Sequence, residues 1–585
     1  MMGAALMLLQ IQETSNEVFF AFINITFIGL FFHKLKHCER STKYYKVVSY
    51  TYTKQVAMVV NTLAHHMPVI AEGATIPDDA PFIESDNLIP HETTPFVRYK
   101  RRSSSTSSIF PDDFFVPEKL GLVSFSILVF YNVSGGPFGV EASVRAGGNF
   151  YSLLGFLVVP LIWSLQEAAM TAELGAAFPE ASGGVAWVEE AFGSTAGWMS
   201  GYLNWVAGAT DNAIYPVLFL EYVMQIFKAS VLEEIESAHS DTMHHLIRIF
   251  LITAISTSLA YINWLGLELV GRISILICFV AMSPFVLLLL VGAAKCDPSR
   301  WFEIPDQICS DHTVSFWESG FVTTGVLWRP LINNLYWNLN SFDAAGSFAA
   351  DVDDPNKTFA RGMMWGLLLV TIGYFVPLLI ATGASDTPHS KWVEGYLAGI
   401  AFDVGGVWLG AWTVFAAGVS NIAMFQAEMS ADAYQVMGMA ERGFLPKIFA
   451  RRSRQGTPTY GILLGTAVII VASSFSNFDE LVEMLNFMYT LSLVFEFAAF
   501  IKLRVSHSET HRPWKVPLNT FGCILFLLPT MVFMVIIIVI ASWKSYVFAL
   551  VFGMIGFFLF LSSESRRQAS RRNKEGSSAD DKDKL

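Results

Sequence analysis

The sequence predicts an all-α polytopic membrane protein, and three observations support this fold class. Hydrophobic residues make up 53% of the 585 residues and charged residues make up 15%, against roughly 25% charged residues in a typical globular domain. The mean hydropathy is positive. The chain also contains charge-free runs of about 20 residues, the length that a helix needs to cross a bilayer, whereas a tilted membrane strand needs only about ten. An ordinary soluble fold is therefore excluded.

Ten charge-free runs supply the first set of predicted spans. In chain order they are residues 120–140, 147–166, 191–210, 249–267, 273–294, 362–385, 404–427, 456–478, 516–543 and 545–563. Two weaker runs carry charges inside the apolar stretch: 331–350 contains Asp343, and 481–501 contains Glu483 and Glu496. These two runs take the sixth and tenth places in chain order, so the prediction is about twelve transmembrane helices.

The distribution of Lys and Arg predicts the direction of the spans, because cytosolic loops of membrane proteins carry an excess of both. They are concentrated in the loop after the eighth span, the loop after the tenth and the tail, at Arg442, Lys447, Arg451, Arg452, Arg454, Lys502, Arg504, Arg512, Lys515, Arg566, Arg567, Arg571, Arg572 and Lys574. The span count places loops 228–245 and 295–318 on the opposite side of the membrane, and these loops carry an excess of acidic residues. Both termini are therefore predicted to face the cytosol, and we expect the membrane to be the plasma membrane.

The chain divides by composition into three parts. Residues 1–116 include a polar low-complexity run and are predicted to form a disordered cytosolic extension. Their apolar stretch 18–32 is short for a span, which leaves a buried or interfacial piece, a signal anchor and an extra span as alternatives. Residues 117–565 are predicted to form the twelve-helix domain, and residues 566–585 a disordered tail that carries both basic and acidic residues.

Two predicted spans contain residues that interrupt a helix. In the first span, residues 131–139 read YNVSGGPFG, where Pro removes a backbone donor and Gly favours other conformations. In the sixth span, residues 337–346 read WNLNSFDAAG, with three Asn or Asp residues. Unwound backbone at membrane depth is tolerated only where it faces protein or a water-filled cavity. Because the two spans hold matching places in two five-span halves, the pair predicts a binding site between inverted repeats. Either interruption alone is also consistent with an ordinary kink.

Five strings of the sequence are specific in combination. They are VSGGPFGVE at 133–141, AELGAAFP at 172–179, DNAIYP at 211–216, WNLN at 337–340 and RPWKVP at 512–517. Together they resemble the amino acid–polyamine–organocation superfamily, and most closely its plant and protist polyamine-uptake branch. The resemblance covers roughly residues 117–565. It implies a five-plus-five inverted-repeat fold and a secondary active transporter that imports polyamines of the putrescine and spermidine class, commonly by proton symport.

The first interruption is a poor site for a substrate carboxylate. Amino acid carriers of the superfamily hold that carboxylate on free backbone N–H groups, and the resemblance places Ser134, Gly135 and Gly136 at the corresponding stretch. The next residue, Pro137, has no N–H. The first three residues remain candidate substrate contacts, because Gly135 and Gly136 still carry donors.

The apolar spans also carry an excess of acidic residues. The carboxylates are Glu141, Glu167, Glu173, Asp211, Glu268, Asp343, Glu428 and Glu496. Basic residues at similar positions are few, chiefly Arg272 and Arg329. An unpaired carboxylate in a bilayer is unfavourable, and protonation, solvation in a cavity or a cationic substrate each offsets that cost. A polyamine suits such a site because it has two or more ammonium groups and no carboxylate.

The interruptions and the acidic residues together suggest the substrate contacts. Asp343 is the first candidate for an ammonium partner, because it lies inside the sixth-span interruption. Asn338 and Asn340 can accept from an ammonium group, although both are also suited to capping half-helix backbone. Asp211 and Tyr215 lie four residues apart and share a helical face. Tyr215 offers an aromatic surface and a hydroxyl to a cation, and core packing is its alternative role.

Three further residues complete the candidate site. Tyr489 in the tenth span is a candidate cavity wall, with helix packing as its alternative. Glu167 in the second span is a candidate proton carrier, because apolar surroundings disfavour an ionised carboxylate; a structural hydrogen bond is the alternative. Glu141 follows the first interruption and is a second proton-coupling candidate, unless it pairs with Arg145 four residues on.

Other function classes have little support. The net charge of −12 argues against nucleic-acid binding, and no Walker A, HExxH or GxSxG pattern indicates an enzyme. No cofactor or metal site is predicted. A neutral or cationic amino acid carrier of the same fold and a nutrient sensor that does not transport remain alternatives. Loop 228–245 contains no Cys, so the disulfide-linked heavy chain of some amino acid carriers in the superfamily is not expected.

Overall fold

A computed structural model describes residues 118–227, 241–305, 322–323, 325–473 and 478–582. The predicted extension 1–116 lies outside the described residues, as do parts of loops 228–245 and 295–318.

Within the described residues, the chain forms sixteen α-helices and one short β-hairpin. The helices are α1 Leu122–Val133, α2 Glu141–Val159, α3 Leu165–Ala177, α4 Gly184–Phe192, α5 Ser194–Asn212, α6 Ile214–Phe227, α7 Asp241–Leu265, α8 Leu267–Gly292, α9 Trp328–Leu339, α10 Pro355–Ala384, α11 Tyr396–Gly405, α12 Val407–Glu441, α13 Thr459–Ala472, α14 Phe478–Ser506, α15 Thr520–Ile540 and α16 Trp543–Lys582. Strands β1 Val322–Thr323 and β2 Val326–Leu327 pair antiparallel before α9. A π-helical turn, Pro160–Ser164, joins α2 to α3.

Within the part of the chain that the structure describes, eight helical stretches are long and apolar enough to cross a membrane. They are Glu141–Ala177, Leu246–Leu265, Leu267–Lys295, Pro355–Ala384, Val407–Glu441, Leu481–Ser506, Thr520–Ile540 and Trp543–Glu564. The shorter apolar helices α1, α11 and α13 accompany them. The predicted fold class, an all-helical polytopic membrane protein, is thereby confirmed.

Two of these stretches continue past the charge-free runs that predict them. The predicted second span 147–166 lies inside Glu141–Ala177, and the predicted eighth span 404–427 is replaced by the longer α12. The residues just beyond the two predicted ends are Glu167 and Glu428, which are only 0% and 6% exposed. A carboxylate that faces the protein interior does not end a helix in the membrane, whereas one that faces lipid is strongly disfavoured.

The last helix also extends beyond its predicted end. Its apolar part is Trp543–Glu564, and the backbone stays helical to Lys582. The sequence predicts a disordered tail over 566–585, because that segment is rich in charged residues. A helix that is already formed adds residues without a new nucleation cost, which is the physical reason for the difference.

The chain leaves helical geometry at both predicted interruptions. After α1, the backbone N–H of Ser134 closes the last helical turn, and the chain passes through Gly136 and Gly139, whose φ angles are +82° and +87°. Glycine adopts such angles without the steric penalty of a Cβ atom. After α9, Asn340 is extended and Ser341 has a φ of +74°. Both spans are therefore broken at the strings that the sequence singles out.

Helix α12 is central to the packing around the two breaks. It contacts α1, α5, α6 and α8, and also the 3-10 turn Asp343–Phe348 that follows the second break. Because α12 is lined with small residues and carries no Lys or Arg, neighbouring helices approach it closely, as is usual for helices in membranes.

Two of the five strings that carry the family resemblance meet in one buried ion cluster. Glu173 of the AELGAAFP string is fully buried and accepts hydrogen bonds from the Arg504 guanidinium of α14. Arg512 of the RPWKVP string forms an ion pair with it at 3.1 Å, and the Val516 N–H donates to it at 2.9 Å. Glu173 therefore ties the segment after α14 to α3, and its full set of partners gives it a structural role.

Candidate functional site

The two breaks contact each other through side chains of α9. Asn334 donates its Nδ2 to the Gly139 carbonyl at 2.8 Å, and Asn338 donates to the same oxygen at 3.3 Å. A Cβ atom on Gly139 would lie 2.9 Å from a Trp337 ring carbon. Gly139 is thus required both for its backbone angle and for close approach of the ring. The capping alternative for Asn338 matches this geometry, because its amide also donates to the Asn334 carbonyl.

A small cavity of about 30 Å³ lies where the breaks meet, and we call it the aromatic cavity. Its lining is Asn132, Val133, Gly135, Phe138, Gly139, Asp211, Tyr215, Leu218, Tyr222, Trp337, Asn338, Asn340, Ser341, Tyr374, Glu394, Ser420, Asn421 and Met424. Five predicted substrate contacts are among these residues: Gly135, Asp211, Tyr215, Asn338 and Asn340. Five aromatic rings also line it, so the cavity combines carboxylates with surfaces that attract cations.

Asp211 is the buried carboxylate at the centre of this lining. It lies in the last turn of α5 and is 7% exposed. One oxygen accepts from the Trp337 indole N–H at 2.8 Å, and the other accepts from the Tyr215 hydroxyl at 3.3 Å. None of the ion pairs between described residues involves Asp211. Neutral donors orient the carboxylate but leave its charge unbalanced, which favours a cation in the cavity.

Three predicted residues from different helices form a second polar group. The Tyr489 hydroxyl lies 2.8 Å from a Glu167 oxygen and in hydrogen-bond contact with Asp343. The Asp343 N–H donates to the same Glu167 oxygen at 3.2 Å, and Asn204 donates to Asp343 at 2.6 Å. A tyrosine hydroxyl has one hydrogen to donate. It therefore bonds both carboxyl groups only if one of them carries a proton.

Asp343 does not line the aromatic cavity. Its side chain is 4% exposed, and both of its oxygens accept hydrogen bonds from protein groups. The residue therefore belongs to the group with Glu167 and Tyr489. Among the carboxylates predicted to contact substrate, the geometry favours Asp211 over Asp343.

The remaining predicted residues shape the first break. Ser134 is fully buried and its Oγ accepts from the Gly136 N–H at 3.1 Å; neither residue lines the aromatic cavity. Glu141 is fully buried at the start of α2 and accepts from the Gly139 N–H at 2.9 Å and from the Leu397 N–H at 3.4 Å. Glu141 thus joins the first break to α11.

A second, smaller cavity of about 20 Å³ shares lining residues with the first, and we call it the acidic cavity. Its lining is Asn132, Asn204, Ala207, Gly208, Asp211, Asn340, Ser341, Ala344, Glu428, Asp432, Leu485 and Tyr489. The two cavities share Asp211 and Asn340, among others. Among the described residues, no group of three or more His, Cys, Asp or Glu is arranged to hold a metal ion.

The sequence pattern does not predict a role for several of these lining residues. It marks Glu428 only as one of the membrane carboxylates, and it does not mark Asp432, Glu394 or Asn204. For Asp432 a signal was present, since it lies four residues after Glu428 and thus on the same helical face. The charge-free criterion ended the eighth span before both residues. For Glu394 and Asn204, no local pattern indicates that they approach the breaks.

Comparisons with known proteins agree with this architecture. A family model described as amino acid permease matches residues 120–560. The chain is 40% identical over 457 residues to a protein of Arabidopsis thaliana named Probable polyamine transporter, covering 77% of this chain and 89% of that protein. It is 37% identical over 442 residues to the polyamine transporter RMV1 of Arabidopsis thaliana, covering 76% and 84%. It is 39% identical over 425 residues to the polyamine transporter PUT1 of Oryza sativa subsp. japonica, covering 73% and 74%.

Proposed function

Because the chain belongs to the amino acid permease family, we propose that it is a secondary active transporter that imports polyamines of the putrescine and spermidine class. The relatives named polyamine transporters support this substrate class. The observation that carries the proposal is the buried Asp211 carboxylate, which lines the aromatic cavity and has no cationic partner among the described ion pairs. A polyamine supplies the missing positive charge.

The proposed architecture has twelve membrane helices in two inverted five-helix halves, with two helices beyond them. Helices α1 and α2 flank the break of the first span, and α9 with its following 3-10 turn forms the broken sixth. The two breaks then occupy matching positions in the two halves, where transporters of this kind bind substrate. The proposal includes the plasma membrane as the location and the cytosol as the side of both termini, on the distribution of Lys and Arg along the chain.

In the proposed binding mode, Asp211 accepts hydrogen bonds from one ammonium group. Glu394 lines the same cavity, and its Oε1 is buried without a hydrogen-bond partner. It is the candidate partner for a second ammonium group. The rings of Tyr222 and Trp337 supply cation–π contacts, each worth roughly 0.5–2 kcal/mol. Substrate entry requires the breaks to move apart, since about 30 Å³ holds only one or two water molecules.

Proton symport is the proposed coupling. A proton and a polycation compete for one carboxylate, so net stimulation by protons requires two different residues. Asp211 serves the substrate, and the group of Glu167, Asp343 and Tyr489 holds the proton. Because Glu167 accepts from the Asp343 N–H next to the second break, protonation of Glu167 weakens that attachment. The proton thereby acts on the segment that must move.

Uptake by the purified full chain in liposomes tests the function. Labelled putrescine and spermidine are compared with labelled leucine and arginine, under an imposed pH gradient. We expect saturable uptake of both polyamines and little uptake of either amino acid. Uptake of leucine or arginine with polyamines inert would establish the amino acid carrier instead. Tight binding of polyamine without accumulation would establish a sensor.

A further inference from the structure

We propose that the acidic cavity is a subsite for the additional ammonium group of longer polyamines, an inference that rests on the polyamine transport proposed above. Putrescine has two ammonium groups and spermidine has three. The aromatic cavity offers two carboxylates, Asp211 and Glu394. A third group needs a further site that is continuous with the first, and the acidic cavity shares Asp211 with it.

The charges of the acidic cavity match a cation. Asp211, Glu428 and Asp432 contribute three carboxyl groups to its lining, and none of the lining residues is Lys or Arg. Glu428 and Asp432 are 6% and 7% exposed and take part in none of the ion pairs between described residues.

Unpartnered polar atoms provide a second, independent observation. Asn132 is 5% exposed, lines both cavities, and has no hydrogen-bond partner for either amide atom. One Glu428 oxygen, Oε2, is likewise buried without a partner. A buried polar atom without a partner costs roughly 1–3 kcal/mol. An ammonium group has three donors, which is enough to satisfy the Asn132 carbonyl oxygen and the Glu428 oxygen together.

The backbone also makes room for these carboxyl groups. A Cβ atom on Gly208 of α5 would lie 2.4 Å from Asp432 Oδ1, so only Gly allows the carboxyl group to sit there. The lining also includes Ser341 of the second break, whose φ is +74°. Asn340 and Ser341 of the second break line both cavities, so the shape of each cavity depends on the same break.

The inference predicts a loss that depends on substrate length. In liposomes with a fixed pH gradient and clamped membrane potential, Glu428→Gln should raise the KM for spermidine at least tenfold. The KM for putrescine should change less than threefold. Asp432→Asn should change the KM values in the same direction. It replaces Glu428→Gln as the test if that variant fails to accumulate. Glu496→Gln is the matched control, because Glu496 is 1% exposed and has an unpartnered oxygen but lines neither cavity. In this variant the ratio of the spermidine KM to the putrescine KM should stay at the wild-type value.

The outcomes separate the two proposals. If the wild-type chain transports both polyamines and Glu428→Gln raises both KM values equally, the subsite is refuted while the proposed function stands. An unchanged KM ratio with a lost response to the pH gradient also refutes it, since the cluster would then carry the proton. If the wild-type chain transports neither polyamine, the proposed function fails, and the subsite fails with it.

Discussion

The substitution Asp211→Asn tests the central contact of the proposed site. Asparagine keeps the shape of aspartate, removes the charge and replaces one acceptor oxygen by an NH₂ donor. Both oxygens of Asp211 face donors, the Trp337 indole at 2.8 Å and the Tyr215 hydroxyl at 3.3 Å. The Asn oxygen can keep the bond from Trp337 while the new NH₂ group donates to the Tyr215 hydroxyl, which also accepts, so the change removes the charge that a substrate ammonium group requires and leaves the local hydrogen bonds satisfied.

The expected magnitude follows from that geometry. A hydrogen bond to a charged group contributes roughly 1.5–3 kcal/mol, and truncating one partner of a buried charged pair costs about 2–5 kcal/mol. We take about 3 kcal/mol as the loss for a polyamine in the Asn variant. Each 1.4 kcal/mol corresponds to a factor of about ten. The ratio kcat/KM for both putrescine and spermidine should therefore fall about 100-fold.

The assay is initial-rate uptake into liposomes, together with the melting temperature of the purified variant. Asp211→Asn should melt at or above the wild-type temperature, because it removes a buried charge without a cationic partner. A purely structural role for Asp211 would lower the melting temperature instead. Asp297→Asn is the control. Asp297 lies outside the membrane-spanning stretches and caps a 3-10 turn by accepting a hydrogen bond from the Ser299 N–H. Asn caps a helical turn as well as Asp does. Wild-type kcat/KM for polyamines in Asp211→Asn would refute the assignment.

Three further predictions concern coupling, the break and stability. Glu167→Gln should abolish stimulation of uptake by an inward pH gradient but keep uptake driven by the membrane potential; an intact response to the gradient would remove Glu167 from the coupling mechanism. Gly139→Ala should impair uptake, because the left-handed backbone conformation at position 139 costs Ala about 1–2 kcal/mol. Gly553→Ala is the control and should not impair uptake, since the space around a Cβ atom at position 553 is open. Equal uptake rates by the two variants would contradict the prediction. Glu173→Gln should destabilise the protein by about 3–5 kcal/mol in thermal unfolding, against under about 1 kcal/mol for Glu118→Gln in an exposed ion pair; similar melting temperatures for the two would count against the buried cluster.

The sequence alone determined the fold class and the places where the two critical spans break. Both follow from local chemistry: apolar runs of membrane length form helices, and a Gly-Gly-Pro string cannot continue one. The strings also indicated the family, and the match to a permease family confirms a transport protein rather than an enzyme. Five predicted substrate contacts line the aromatic cavity, because a broken span in a membrane must face a cavity or protein.

Only the tertiary structure decided which carboxylates act together. Glu167, Asp343 and Tyr489 come from three distant segments, and no local pattern states that they meet. The structure also places Asp211, but not Asp343, in the lining of the two cavities, and it places Asp432 inside α12, beyond the end of the charge-free run. The physical reason is the same in each case. Hydropathy along the chain records that a carboxylate is unfavourable in lipid, but whether it faces lipid, a cavity or another helix depends on how the helices pack.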